Sequence, residues 1–258
     1  MTLLCTHECE GRVAVLTLSD PARRNALSLE LSGALAQAVA ACETGESVRA
    51  IVITGAPPAF CAGADLGALV AAGRSGSEAD LRRLYAGFLA VANATVPTIA
   101  AVNGPAVGAG LNLALACDLR LVGPGAVFDA RFLQLGIHPG GGMTWLAQRA
   151  VGVQTAAALA LFGVPLDAAE AVRTGLAYRL IDCDDDDPRS AAAHEAVVAA
   201  AVDLAGRAAT APRDLVIATK ATLRATALMP HHADAVTHEL APQLATLRPR
   251  SLDADYGF

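Results

Sequence analysis

The sequence predicts an α/β fold: parallel strands alternating with helices as far as residue 142, then a helical C-terminal region. Three observations predict it. Between residues 12 and 118, short aliphatic runs alternate with segments whose apolar positions recur at helical spacing, the pattern of a layered core with parallel strands. Beyond Gly142 the pattern becomes helical. The 258 residues are 54% hydrophobic, enough to fill one large domain, or one domain with an appendage.

In order, Arg12 to Leu18 reads as a strand and Ser19 to Asn25 as a polar turn. Ser28 caps a helix with apolar positions Leu31, Ala34, Leu35, Ala38, Val39 and Cys42, and Gly45 stops it. Arg49 to Thr54 is the next buried strand. Pro57, Pro58 and Gly63 keep Ala56 to Asp65 irregular; a short helix and a loop around residues 73 to 77 follow. Ser77 and Asp80 form a capping-box-like pair ahead of a helix that buries Leu81, Leu84, Tyr85, Phe88 and Leu89. Val96 to Asn103 is a buried strand, and the glycine-rich Gly104 to Gly110 leads into the apolar helix Leu111 to Cys117. Helical patterns then cover 143–150, 153–162, 166–174, 191–208, 213–228 and 231–247.

A glycine-rich turn opening a helix leaves its first N–H groups unpaired at the positive end of the helix dipole, a place that favours a negative oxygen. Phosphate and a thioester enolate are both candidates. Gly108-Ala-Gly110 followed by Leu-Asn-Leu matches neither the Walker pattern nor the dinucleotide fingerprint. Other tempting groups are blander. The acidic run Asp182 to Asp187 lacks the glycine and terminal glutamate of an EF-hand loop and reads as a solvated linker, with Asp187 as a cap and Pro188 at the first helical position. His231, His232, Asp234 and His238 read as an exposed helix face behind Pro230. Gly73 to Ser77 fails the nucleophile-elbow pattern because Ser77 stands where a glycine is required.

A net charge of −6 argues against nucleic acid as the main partner. Proline and glycine interrupt the longest apolar runs, so no membrane span is expected. The acidic N-terminal stretch does not resemble a signal peptide, which makes a cytoplasmic location the expectation. The six cysteines include no CxxC pair and read as reduced, mostly buried thiols with no metal site.

Eight segments in order carry a family resemblance: 23–27 (RRNAL), 59–66 (AFCAGADL), 103–110 (NGPAVGAG), 116–118 (ACD), Phe128, 136–142 (GIHPGGG), 149–152 (RAVG) and 168–176. On these the chain resembles the enoyl-CoA hydratase/isomerase (crotonase) family over nearly its whole length. The resemblance implies a spiral of ββα units. Residues 1–187 would form the core with the acyl-CoA pocket, and residues 188–258 a helical region assembling trimers or hexamers. It also implies acyl-CoA or enoyl-CoA as ligand, coenzyme A arriving with the ligand, and no permanently bound cofactor. By motif position the oxyanion-hole amides fall on Ala64 and Ala109, where fixed donors would stabilise an enolate oxygen. Ala62, Asp65, Leu66 and Gly110 would lie along coenzyme A, with Arg23 and Arg24 as phosphate contacts.

The departures bear on chemistry. Where family hydratases carry two glutamates, this chain has Asn112 and Phe132. No Asp or Glu lies between Asp80 and Asp118 or between Asp129 and Asp167, so a register shift does not restore them. General acid–base groups contribute about 10² to 10⁴ in rate, and their loss leaves an acyl-CoA binding protein with weak or absent hydratase activity. The alternative is an active isomerase, hydratase or thioester hydrolase using a substitute. His138 is first among these, since imidazole titrates near neutrality. Asp129 is expected to face away from Phe132, and Asp118 reads as structural. Arg248 and Arg250 stand where the family often has a lysine-rich end.

Overall fold

The computed structural model describes residues 2–247; Arg248 and Arg250 lie outside the described residues. Strands β1 (Thr2–Glu8), β2 (Val13–Ser19), β3 (Ala50–Gly55), β4 (Thr98–Val102), β6 (Leu119–Val122) and β9 (Arg179–Leu180) form one sheet in the order β1-β2-β3-β4-β6-β9. All its pairings are parallel except β1 with β2. A smaller sheet joins β5 (Pro105–Val107), β7 (Val127–Asp129) and β8 (Leu166–Asp167). Helices α1 (Leu29–Thr44), α2 (Leu66–Ser75), α3 (Glu78–Asn93), α4 (Ala109–Ala116), α5 (Met143–Leu161) and α6 (Ala168–Arg173) intervene, and α7 (Ala191–Ala209), α8 (Arg213–Thr226) and α9 (His232–Thr246) follow.

Alternation along the strands divides the core. Val13, Val15, Ala50, Val52, Ile99, Ala101 and Leu121 face α7, which meets them with Val197, Ala201, Ala205 and Ala209, one residue per turn. Ala14, Leu16, Leu18, Ile51 and Ile53 point the other way, into the core shared with α1, α3 and α4. Although the expected boundary at residues 187/188 falls just before α7, this helix covers one face of the main sheet. Helices α1 and α3 approach closely because Ser32 and Gly87 meet there: Ser32 Oγ accepts from Gly87 N–H at 2.9 Å, and a Cβ at Gly87 would come within 2.9 Å of Ser32 O.

Several local expectations need correction. Strand β1 is nearly all exposed, so it lacks the buried alternation that announces a strand, and pairing with β2 alone creates it. The segment expected to loop at 73–77 stays helical to Ser75 and stops at Gly76, whose φ of 61° suits glycine. Ser77 caps α3 by accepting from Asp80 N–H at 3.3 Å, but the Asp80 carboxylate accepts from Ser75 Oγ at 3.0 Å, so the box closes on one side only. Ser190, not Asp187, caps α7, which begins at Ala191 rather than Pro188. The cysteines divide evenly: Cys42, Cys61 and Cys117 are buried, while Cys5 and Cys9 are exposed and Cys183 is half-buried. Burial pushes the Cys61 and Cys117 thiols up to about 12.

Asp118 is structural, as expected. Its carboxylate accepts from Thr98 N–H at 2.8 Å and Thr98 Oγ1 at 3.0 Å, and it pairs with Lys220 at 2.5 Å. The Lys220 ammonium also donates to Val96 O at 2.7 Å, which fastens α8 to the body. Among the described residues no helix is long and apolar enough to cross a membrane, and no group of three or more His, Cys, Asp or Glu could hold a metal ion.

Candidate active site

A cleft of about 420 Å³ opens between residues 62–64, the first turn of α4, α2 and α3, and the 130–140 loop. Short parallel bridges tie its back wall together. Cys61 N–H donates to Pro105 O at 3.1 Å and Cys61 O accepts from Val107 N–H at 2.9 Å. Leu27 N–H donates to Gly63 O at 2.7 Å, and Asp65 N–H donates to Leu27 O at 2.9 Å. With its neighbours committed to Leu27, the Ala64 N–H has no partner among the described residues and lies on the opposite side of an extended segment.

Gly108 sets up the second amide. Its φ of 52° and ψ of −112° lie where side chains are strained, and its own N–H donates to Asp129 O at 2.9 Å. The Ala109 N–H then begins α4 with no partner among the described residues. Every residue of α4 is buried, so water screens its positive end poorly. The two loops touch: a Cβ at Gly63 would lie 3.7 Å from Ala109 N, and one at Gly110 would lie 2.1 Å from Cys61 O. Ala64 and Ala109 thus present two unpaired amides in one cleft, an arrangement that can hold an oxyanion.

The sequence-predicted ligand contacts separate here. Ala62, Ala64, Leu66, Ala109, Asn112, Phe132 and His138 all line the cleft. Asp65 is outside the lining and caps α2 by accepting from Ala68 N–H at 2.9 Å. Gly110 faces Cys61 behind the cleft. Arg23 and Arg24 sit in the neighbouring turn; Arg23 donates to Asp20 at 2.8 Å and lies 3.6 Å from Asp65. That turn is held by buried Asn25, whose Nδ2 donates to Ala56 O and Ala59 O at 2.8 and 2.7 Å.

Asn112 is 1% exposed. Its Nδ2 donates to Gly140 O at 2.9 Å, while its Oδ1 is buried without a partner. Phe132 packs half-buried against the core. His138 is exposed at the rim with Nδ1 2.7 Å from Pro139 O; that contact needs a proton on Nδ1, leaving Nε2 with the lone pair in the neutral ring. Asp129 is buried outside the lining and pairs with Arg131, whose Nε donates at 2.9 Å. Among the described residues no Asp or Glu lines the cleft.

Two lining residues carried no functional signal in the sequence. Tyr85 looked like one more apolar position of α3, yet it lines the cleft, with its hydroxyl against Gly140. Arg131 enters the lining at a φ of 57°, a left-handed conformation that the sequence does not announce at an arginine.

A family model described as enoyl-CoA hydratase/isomerase matches residues 8–247. A protein of Mycobacterium tuberculosis (strain ATCC 25618 / H37Rv), named a probable enoyl-CoA hydratase, EchA14, is 54% identical over 235 residues, or 91% of this chain and 86% of that protein. Among solved structures, an enoyl-CoA hydratase from Polaromonas sp. JS666 superposes with a TM-score of 0.83 at 28% identity, covering 96% of this chain and 92% of that one. A candidate enoyl-CoA hydratase from Thermobifida fusca YX in complex with CoA gives a TM-score of 0.81 at 32% identity, covering 95% and 92%.

Proposed function

The chain belongs to the enoyl-CoA hydratase/isomerase family, and on that footing we propose that it binds acyl-CoA thioesters through the Ala64 and Ala109 amides, with weak or absent hydratase activity. The observation that carries this reading is the composition of the cleft: two unpartnered backbone donors, an apolar wall that includes Leu66, Leu69 and Phe132, and no carboxylate among the described residues. Two donors fixed against a thioester oxygen polarise it. Hydration also needs a group to take a proton from water and one to deliver a proton to the α-carbon. Asn112 does neither at neutral pH, and Phe132 makes the far wall dry. The CoA complex of a relative supports coenzyme A as the handle.

Calorimetry with coenzyme A and with saturated acyl-CoAs tests the binding half. Acyl thioesters are expected to bind more tightly, because only they fill the apolar wall; equal affinities overturn the reading. Following the enoyl-thioester absorbance tests the other half, with little or no hydration expected.

One observation favours a second reading, an active enzyme working through His138. Its Nδ1 contact with Pro139 O leaves Nε2 as a proton acceptor at the rim, a geometry suited to enolisation, isomerisation or activation of a hydrolytic water. Turnover abolished by His138→Gln would select it.

A further inference from the structure

We propose that a charged cluster at the C-terminal end of α4, made by Arg120, Lys220, Arg224 and Asp118, sets how strongly the opposite end of that helix polarises a thioester carbonyl. The inference rests on the acyl-CoA reading above. None of the four residues lines the cleft, so they act through α4 and not on the ligand directly.

The cluster closes around the last turn of α4. One guanidinium nitrogen of Arg120 donates to Cys117 O at 2.7 Å and to Ala114 O at 3.4 Å, carbonyls of the kind a helix end leaves unpaired. Arg120 Nε donates to Leu176 O, which holds the group in place. Cys117 is the C-cap. The next residue, Asp118, pairs with Lys220 at 2.5 Å and lies 3.7 Å from Arg224. Three cations against one carboxylate leave a net formal charge of +2 at this end. Lys220 is 6% exposed and Arg120 is half-buried. Burial lowers the pKa of both, and Asp118 opposes it in both, as expected of charges drawn out of water.

A helix dipole puts partial positive charge at Ala109 and partial negative charge at the Cys117 end. In a short helix the far negative end opposes an oxyanion at the near end, and cations placed there cancel that opposition. With eight residues, α4 separates its ends by about 12 Å. Every residue between them is buried, so salt screens this path weakly. At an effective dielectric constant of about 20, one unit charge at that distance alters the stability of a full negative charge by about tenfold. A polarised carbonyl feels a fraction of this. The same contacts also anchor α4, and the two roles differ in sign: loss of Asp118 loosens the anchor but makes the cluster more positive.

The experiment is infrared difference spectroscopy of bound butyryl-CoA, isotope-labelled at its thioester carbonyl, in wild type, Lys220→Met, Asp118→Asn and the double variant. Wild type is expected to lower the carbonyl frequency relative to the free thioester. Lys220→Met, with one positive charge fewer, is expected to reduce that shift, and Asp118→Asn, with one negative charge fewer, to enlarge it. The double variant is expected to return to the wild-type value, and Lys220→Arg to keep it. Anchoring alone would reduce the shift in both single variants and further in the double. Same-sign changes in the two single variants, or no change in either, overturn the proposal and leave the acyl-CoA reading intact. A wild-type carbonyl that does not shift on binding removes the oxyanion reading itself. Should a variant fail to fold, Arg224→Met decides beside Lys220→Arg: the Arg224 side chain is 43% exposed, and its loss is expected to reduce the shift by less than Lys220→Met. An unmoved or enlarged shift in Arg224→Met overturns the proposal as well.

Discussion

Asn112 Nδ2 in α4 donates to the Gly140 carbonyl in the glycine turn at 2.9 Å, 28 positions further along the chain. This bond fixes which way the amide points, and so leaves Oδ1 facing without a partner. It also gives Asn112 a structural task that a carboxylate at the same place would not perform.

Asn112→Glu combined with Phe132→Glu is expected to raise hydration of a crotonyl-type thioester at least about tenfold over wild type, below the 10² to 10⁴ that general acid–base groups can supply. The shortfall has two causes. Glutamate cannot donate to Gly140 O, which frees the turn, and a carboxyl against an apolar wall is held protonated when it should act as base. Loss of enoyl-thioester absorbance is the measurement. Brisk wild-type turnover that survives changes at both His138 and Asp129 would show the catalytic groups to be elsewhere.

Ala109→Pro removes one of the two proposed oxyanion donors and keeps the helix, since Ala109 is the first residue of α4 and proline suits that position. Acyl-CoA affinity is expected to fall by about two- to tenfold, with a smaller ultraviolet shift of a bound enoyl thioester. An unchanged shift would remove Ala109 from the oxyanion hole.

His194 should make stability depend on pH. Burial lowers its pKa from the ordinary 6.5, with Glu195 opposing, and its Nδ1 is buried without a partner. The folded state thus binds fewer protons than the unfolded state in the window just below 6.5. Stability is full above that value and is lost as pH falls through the folded pKa. Melting temperature measured on either side of the window is expected to fall on acidification, and to fall less in His194→Gln.

Helix α8, the turn after it and α9 expose Leu223, Leu228, and Leu240 with Leu244 respectively, a large apolar area for a single subunit. Light scattering at micromolar concentration is expected to give a trimer or a dimer of trimers of the 26.1 kDa chain; a monomeric mass would refute the assembly role proposed for residues 188–258.

Sequence alone determined the elements whose stability is local or periodic. The Ser28 and Ser77 caps, the buried strands around Ile51 and Ala100, and a helix opening out of the glycine turn before Leu111 were legible because caps, aliphatic runs and glycine turns act through near neighbours. The ordered motifs likewise carried the family and placed Ala64 and Ala109 together. Tertiary structure alone decided the rest. Strand β1 exists only because β2 offers an edge. Asp65 caps α2 through Ala68 N–H and Gly110 packs against Cys61, partners that their motifs do not name. Tyr85 is an ordinary position in the helical stripe of α3 until the 138–142 turn is folded against it. Its surroundings come from what packs across the cleft, and a residue's own sequence neighbourhood does not record that.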